Sequence, residues 1–280
     1  MTRYFVYDVF TDMPFGGNPL AVIPDASGLA EDRLQRIARE FNFSETTFVY
    51  PADEPGHTAK VRIFTPTTEI PFAGHPTIGT AIALDDLGHG GEQVLELGVG
   101  PITCRVRDGA ADFVTHAPLE ILFEPAPEDI AACLGLPEGA IRTDRHAPAV
   151  ASVGLPFVLA ELDSAETLAA CLPVTDAFRR AAQLYPSDFD FAILAYVRDG
   201  EAVRARMFAP LDNIPEDPAT GSAAAALGAY LAQREGGELT LDIAQGVEMG
   251  RPSRIGVRVA EGAVTITGRA VQVMEGRITL

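Results

Sequence analysis

Glu45, His75 and Asp217 are the residues on which acid–base chemistry can be built. Glu45 stands in NFSETTFV, between an amphipathic stretch and a β-branched one. Flanked by Phe43 and Phe48, its carboxyl group is expected to be half-buried, which favours the neutral form and brings it toward neutral working pH. Read on its own, an acid at a strand entrance is usually a solvated end or a cap. His75 in FAGHPTIG follows Gly74 at the predicted start of a helix. There the positive end of the helix dipole favours the neutral ring, and the plain alternative is a histidine satisfied at a turn. Asp217 in PEDPATGSA precedes a second predicted helix, for which capping is its ordinary task. Behind it, Gly221 and Ser222 offer backbone N–H groups and a hydroxyl to a carboxylate, as Gly74 and Gly79 do in the first half. Two helix N-termini of this kind converging on one cleft would make an anion-binding site with acids and a histidine at hand.

His75 and Asp217 also occupy corresponding places in an internal repeat. RIFTPTTEIP from Arg62 to Pro71 aligns without a gap on RMFAPLDNIP from Arg206 to Pro215, agreeing at Arg, Phe, Pro, Ile and Pro. After a slip of two residues, HPTIGTAIA from His75 lies over DPATGSAAA from Asp217. That pairs Pro76 with Pro218, Gly79 with Gly221, and Thr80 with Ser222. A match at corresponding points of two halves implies duplication of a unit of roughly 140 residues. Duplication predicts that the two Gly-bearing turns meet across a pseudo-two-fold axis, with His75 and Asp217 facing one cleft.

The elements that must hold these residues emerge from periodicity. Tyr4 to Phe10 alternates as a strand, and LAVIP follows the turn-rich TDMPFGGNP. Leu29, Leu34, Ile37, Ala38 and Phe41 recur at helical spacing. Strands are predicted at TTFVY, AKVRIFTP, VLELGVG, ITCRVR and ADFVTH, and an enclosed helix of small residues runs from His75 to Leu87. A helix is expected over Pro127 to Leu134, with Glu128 and Asp129 near its N-terminus. In the second half, strands are predicted at VASVGLPFVLAEL, DFAILAYV and AVRARMFAP, with a helix around Thr175 to Leu184. A second small-residue helix spans Thr220 to Gln233, and LTLDIAQG, RIGVRVA, AVTITG and AVQVM close the chain as strands. Many short strands around one apolar helix per half give an α+β fold of two lobes in which curled antiparallel sheets wrap a central helix. The lobes are placed at residues 1–125 and 126–280, with the C-terminal strand a candidate to join the first.

Composition narrows the function. The chain has 280 residues, 47% hydrophobic and 21% charged, which is globular. Lys and Arg total 21 against 39 Asp and Glu, a formal net charge of -18 that disfavours nucleic acid and anionic membranes as partners. A local cluster of N–H groups can still hold a small anion. Cys104, Cys133 and Cys171 are widely spaced without a CxxC pair, which suits a reducing cytoplasm. The N-terminus has no basic segment followed by a long apolar stretch, so no signal peptide is expected. GxSxG, P-loop, GxGxxG-helix and HExxH signatures are missing. GVGPIT at Gly98 carries too few glycines and falls between strands. His57, His75, His89, His116 and His146 are scattered, so no metal site is expected.

The blocks DVFTDMPFGGNPLAV, NFSETTFV, PFAGHPTIGTA, EDPATGSAAAALGAYL and QGVEMGRPS, in this order along nearly the whole chain, resemble the PhzF family of phenazine-biosynthesis-like isomerases. The resemblance implies the diaminopimelate-epimerase-like fold, two similar lobes each with an antiparallel β-barrel around a central helix. It implies Glu45 as proton shuttle, assisted by His75 and Asp217, with Asn18, Gly74, Gly221 and Ser222 holding a small carboxylate-bearing substrate. It implies no cofactor and no metal, and a cytoplasmic homodimer. The related amino-acid epimerases and proline racemases use one cysteine per lobe. Neither turn carries one here, which disfavours a two-thiol racemase. A cofactor-free amino-acid epimerase and a non-catalytic metabolite-binding protein on the same scaffold remain as alternatives.

Overall fold

The computed structural model describes every residue except Asp188 and Leu280. The chain opens with β1 (Thr2–Val9), β2 (Asn18–Ile23), α1 (Glu31–Phe41), β3 (Glu45–Tyr50) and β4 (Ala59–Phe64). The short β5 (Glu69–Ile70) leads to α2 (Gly74–Asp86), then β6 (Glu92–Leu97), β7 (Gly100–Arg107) and β8 (Ala110–Thr115). Next come β9 (Glu120–Phe123), α3 (Pro127–Leu134), β10 (Ala149–Ser152), β11 (Pro156–Glu161), α4 (Ala165–Ala170) and α5 (Thr175–Leu184). The chain ends with β12 (Ile193–Asp199), β13 (Ala202–Ala209), β14 (Ile214–Asp217), α6 (Gly221–Glu235), β15 (Leu239–Gln245), β16 (Ser253–Ala260) and β17 (Ala263–Ile278).

Two compact units emerge, one from Met1 to Thr115 with the chain from Thr265 onward, the other from His116 to Val264. The boundary expected from sequence, between residues 125 and 126, falls beyond β9. That strand pairs with β10 and so belongs to the second unit. β17 pairs with β1 along the length of β1, which ties it to the first unit.

In the first unit, β17, β1, β2, β3, β4, β6, β7 and β8 join in that order, and β8 returns to β17, closing a barrel. The joins β2–β3 and β4–β6 are parallel and the other registered pairs antiparallel. The barrel is therefore mixed, where the sequence pattern predicts one antiparallel throughout. The parallel joins arise because a helix-bearing crossover separates each pair of strands. α1 leaves one face to solvent and buries Leu34, Ile37 and Ala38 against Ile23, Phe48 and Phe64 on the outside of the sheet. Each large aliphatic side chain buried in this way contributes about 1.5–3 kcal/mol. α2 has no polar face. Every residue from Gly74 to Leu84 is buried, and the helix packs on β1, β2, β3, β7 and β8 as the filling of the barrel.

The second unit repeats the order of joins. β9–β10 and β10–β11 are antiparallel, β11–β12 parallel, β12–β13 antiparallel, β13–β15 parallel and β15–β16 antiparallel. The sequence β17-β1-β2-β3-β4-β6-β7 runs through the same alternation, so the duplication inferred from two short motifs extends through the whole topology. α6 takes the place of α2, packing on β10, β11, β15 and β16. The repeated arginine is structural. Arg62 lies over Phe64 at 5.2 Å and pairs with Glu69 and Glu31, while Arg206 lies over Phe208 at 4.9 Å and pairs with Glu216. Each arginine ties its own strand, β4 or β13, to the short strand that leads into the central helix.

Two predicted strands differ from those observed. VASVGLPFVLAEL is a hairpin, β10 and β11, turning at Val153–Leu155 with Gly154 at φ +124°. AVTITG and AVQVM form one continuous strand, β17, because Gly268 does not break it. A Cβ at Gly268 would lie 2.2 Å from Phe10 Cδ1, so the glycine admits the Phe10 ring against the strand.

Candidate active site

The first unit gathers Asn18, Glu45 and His75 at one end of its barrel. β2 and β3 are parallel neighbours, so Asn18 and Glu45, the first residues of each, emerge at the same end. α2 begins there too, and His75 is its second residue. The turn into β2 needs Gly17, whose φ is +57° and where a Cβ would lie 2.2 Å from the Val9 carbonyl oxygen. His75 Nδ1 lies 3.4 Å from both Asn18 Nδ2 and Glu45 Oε2. Ser44 Oγ donates to Asn18 Oδ1 at 3.5 Å, which directs the Asn18 amide hydrogens toward the imidazole.

Burial lowers the His75 pKa to about 3, so the ring is neutral at physiological pH. Sequence position alone assigns that neutrality to the helix dipole; the enclosing barrel is the cause. With Nδ1 accepting from Asn18, the ring proton resides on Nε2. Nε2 is buried and has no hydrogen-bond partner among the described residues. A buried donor left unsatisfied costs about 1–3 kcal/mol. The α2 N-terminus adds donors, since Ala73 is extended and supplies no side-chain cap to the first-turn N–H groups.

The surroundings of Glu45 differ from expectation. Phe48 is three residues along the strand and therefore on the opposite face, packed in the core beneath α1. Phe43 packs on Phe41, ring centroids 5.8 Å apart. The Glu45 side chain is 15% exposed and lies on the α2 side of β3, the side on which Thr80 Oγ1 donates to Thr47 Oγ1 at 3.0 Å. Its neighbour from the central helix is the His75 imidazole, and the Phe48 ring lies on the other face.

In the second unit Asp217 ends β14 and is 5% exposed. It does not cap α6. The N-cap position is Thr220, without a side-chain cap bond, and Thr220 Oγ1 instead donates to Asp217 Oδ2 at 2.6 Å. Gly221 is the first residue of α6 and Ser222 the second, so their N–H groups lie in the first turn, which has no side-chain cap. Gly79, paired with Gly221 in the repeat, is elsewhere. It lies in the body of α2, and a Cβ there would come within 2.6 Å of Leu20 Cδ2 and 2.7 Å of Val9 Cγ2. Gly79 serves close packing and presents no free N–H to a ligand, because α2 starts one turn earlier relative to the motif than α6 does.

Thr220 does not stand out in the sequence. Its signal is an Asp and a Thr three residues apart before a helix start, a spacing common to many turns. The three cysteines are buried, with burial pushing Cys104 and Cys133 up to about 12 and Cys171 up to about 11. None is placed to exchange protons near neutral pH.

An eight-stranded barrel closed around a central helix, with its strand order repeated in a second unit, is the fold shared by PhzF-family proteins and by a proline racemase-like protein. Within it the chain belongs to the phenazine biosynthesis-like (PhzC-PhzF) family, whose model matches residues 7–276. It is 40% identical to an uncharacterised isomerase of Mesorhizobium japonicum over 99% of this chain and 98% of that protein. It is 38% identical to the trans-2,3-dihydro-3-hydroxyanthranilate isomerase of Pseudomonas aeruginosa over all of both chains. The PhzF-family phenazine biosynthesis protein of Bacillus anthracis superposes with a TM-score of 0.88 at 26% identity, covering 100% of this chain and 99% of that one. The protein is thus an enzyme of the isomerase class. Among the described residues no helix is long and apolar enough to cross a membrane.

Proposed function

We propose that the chain moves a proton on a small carboxylate-bearing substrate without a cofactor. Glu45 takes the proton from one carbon and returns it to another on the same face, the double bond shifts between them, and the carboxyl group ends in the state in which it began. His75 supplies a fixed Nε2–H donor. Asp217, with Asn18, Gly74, Gly221 and Ser222, holds the substrate, the helix N–H groups taking its carboxylate. The observation that carries this reading is the buried, unpartnered Nε2 of His75 beside Glu45. A cytoplasmic homodimer belongs to the same proposal, and light scattering giving twice the mass of one chain at micromolar concentration checks the dimer.

Because full-length relatives are named for it, trans-2,3-dihydro-3-hydroxyanthranilate is the first compound to test. Incubated with the protein in D2O, it is expected to gain solvent deuterium at carbon while its ultraviolet absorption changes. Deuterium at a stereocentre with unchanged absorption would point to epimerisation. Saturable binding without exchange, for this and related cyclic carboxylates, would refute an enzymatic role for the site.

A further inference from the structure

We infer that Gln245 is a positioning residue for Asp217 and for the first turn of α6, an inference that rests on the role of Asp217 proposed above. Gln245 is the last residue of β15 and is fully buried. Its Nε2 donates to the Asp217 carbonyl oxygen at 2.8 Å and to Thr220 Oγ1 at 3.0 Å, and its Oε1 accepts from the Thr220 N–H at 3.3 Å. These partners fix the amide orientation, because a backbone carbonyl only accepts and a backbone N–H only donates. The amide in turn gives the hydroxyl a direction. Thr220 Oγ1 accepts from Gln245, and its single proton goes to Asp217 Oδ2 at 2.6 Å. One buried amide thereby pins both ends of the bend from Asp217 to Thr220, sets the sense of the hydroxyl and orients the carboxylate. Since Thr220 is the N-cap of α6, the same clamp aims the N–H groups of Gly221 and Ser222.

The connection after β15 reinforces the bend. Gly246 is at φ +73°, and a Cβ there would lie 2.6 Å from the Pro218 carbonyl oxygen. Ser253 Oγ donates to that same oxygen at 2.8 Å. The clamp is particular to the unit that bears Asp217. The equivalent strand of the first unit, β6, ends in Leu97, and there the helix start carries His75, held by Asn18.

A buried glutamine with three satisfied bonds also supports the fold, so the test is a double-mutant cycle on trans-2,3-dihydro-3-hydroxyanthranilate with the full chain. Gln245→Leu is expected to lower kcat/KM by about 10–100-fold alone, the cost of a misplaced group, and by less than about threefold in an Asp217→Asn background. The same factor in both backgrounds, or no loss in either, overturns the inference, since a general loss of stability does not depend on Asp217. Should Gln245→Leu fail to fold, Gln245→Glu, which keeps shape and the acceptor for Thr220 N–H, enters the same cycle. If the compound is not turned over, benzoate binding is read from the amide resonances of Gly221 and Ser222. Binding at least about tenfold weaker in the variant supports the clamp, and unchanged binding overturns it. A wild type that neither turns over the compound nor binds benzoate refutes the reading of the site itself, and Gln245 with it. An Asp217→Asn variant as active as the wild type refutes the role of Asp217 and the clamp together, a result distinct from an additive cycle.

Discussion

His75 Nδ1 lies 3.4 Å from Glu45 Oε2, the second residue of a central helix against the first residue of a barrel strand. The imidazole is held neutral by burial, so the pair is not an ion pair at neutral pH. On the function proposed above, the carboxyl group is the member that exchanges a proton and the ring a fixed hydrogen-bonding partner.

Glu45→Gln keeps shape and burial but cannot exchange a proton. It is expected to lower turnover of an identified substrate by about 10²–10⁴-fold with binding nearly intact. Solvent deuterium should then no longer enter the product. Exchange at the wild-type rate in this variant would move the shuttle to another residue, His75 first.

The burial of His75 has a consequence for acid stability. Its folded pKa, about 3, lies below the ordinary histidine value of 6.5, so in that interval the unfolded chain binds the extra proton. The stability attached to the neutral ring is complete above 6.5 and declines as pH falls toward 3, with a slope of about 1.4 kcal/mol per pH unit. Urea unfolding of wild type and His75→Gln from pH 7 to pH 4 should show the difference between them moving against the wild type as pH falls. A difference independent of pH would mean that the ring titrates normally.

Much of this architecture is legible in the sequence where one element decides its own structure. α3 and α5 fall where their periodicity and acidic first turns place them, Pro127–Leu134 and Thr175–Leu184. Asn18, Glu45 and His75 come from separate motifs and stand together because two parallel strands and a helix start at one end of a barrel. Features set by neighbours distant along the chain stay hidden in the sequence. Phe48 is close to Glu45 along the chain but faces the other side of the sheet. Gly268 reads as a break until the ring of Phe10 is seen against it. Thr220 and Gln245 are unremarkable polar residues until the bend after β14 brings them to Asp217.

Gly79 separates a packing glycine from a ligand-binding one. With Leu20 and Val9 side chains under 3 Å from its added Cβ, Gly79→Ala must displace both. Overpacking of this kind costs about 1–3 kcal/mol. Chemical denaturation should show that loss while the folded variant binds a carboxylate ligand with unchanged affinity. Lost binding with unchanged stability would restore Gly79 to the anion site.

On the function proposed above, none of the three cysteines takes part in the proton transfer. Cys104, Cys133 and Cys171 are buried within their units, and burial holds all three thiols at about 11 to 12, far above the pH at which a thiolate would act as a base. Since the thiolate is the reactive species, the native protein at pH 8 should resist a small disulfide reagent such as dithionitrobenzoate, and the unfolded chain should titrate all three. Cys104→Ala, Cys133→Ala and Cys171→Ala should each lower stability through the cavity they leave, by about 1–3 kcal/mol, without changing the turnover of correctly folded protein. The measurement is kcat beside the urea midpoint for each variant. A cysteine whose replacement abolishes turnover while leaving the midpoint in place would show that a thiol takes part in the proton transfer, and the assignment of the shuttle to Glu45 would fall.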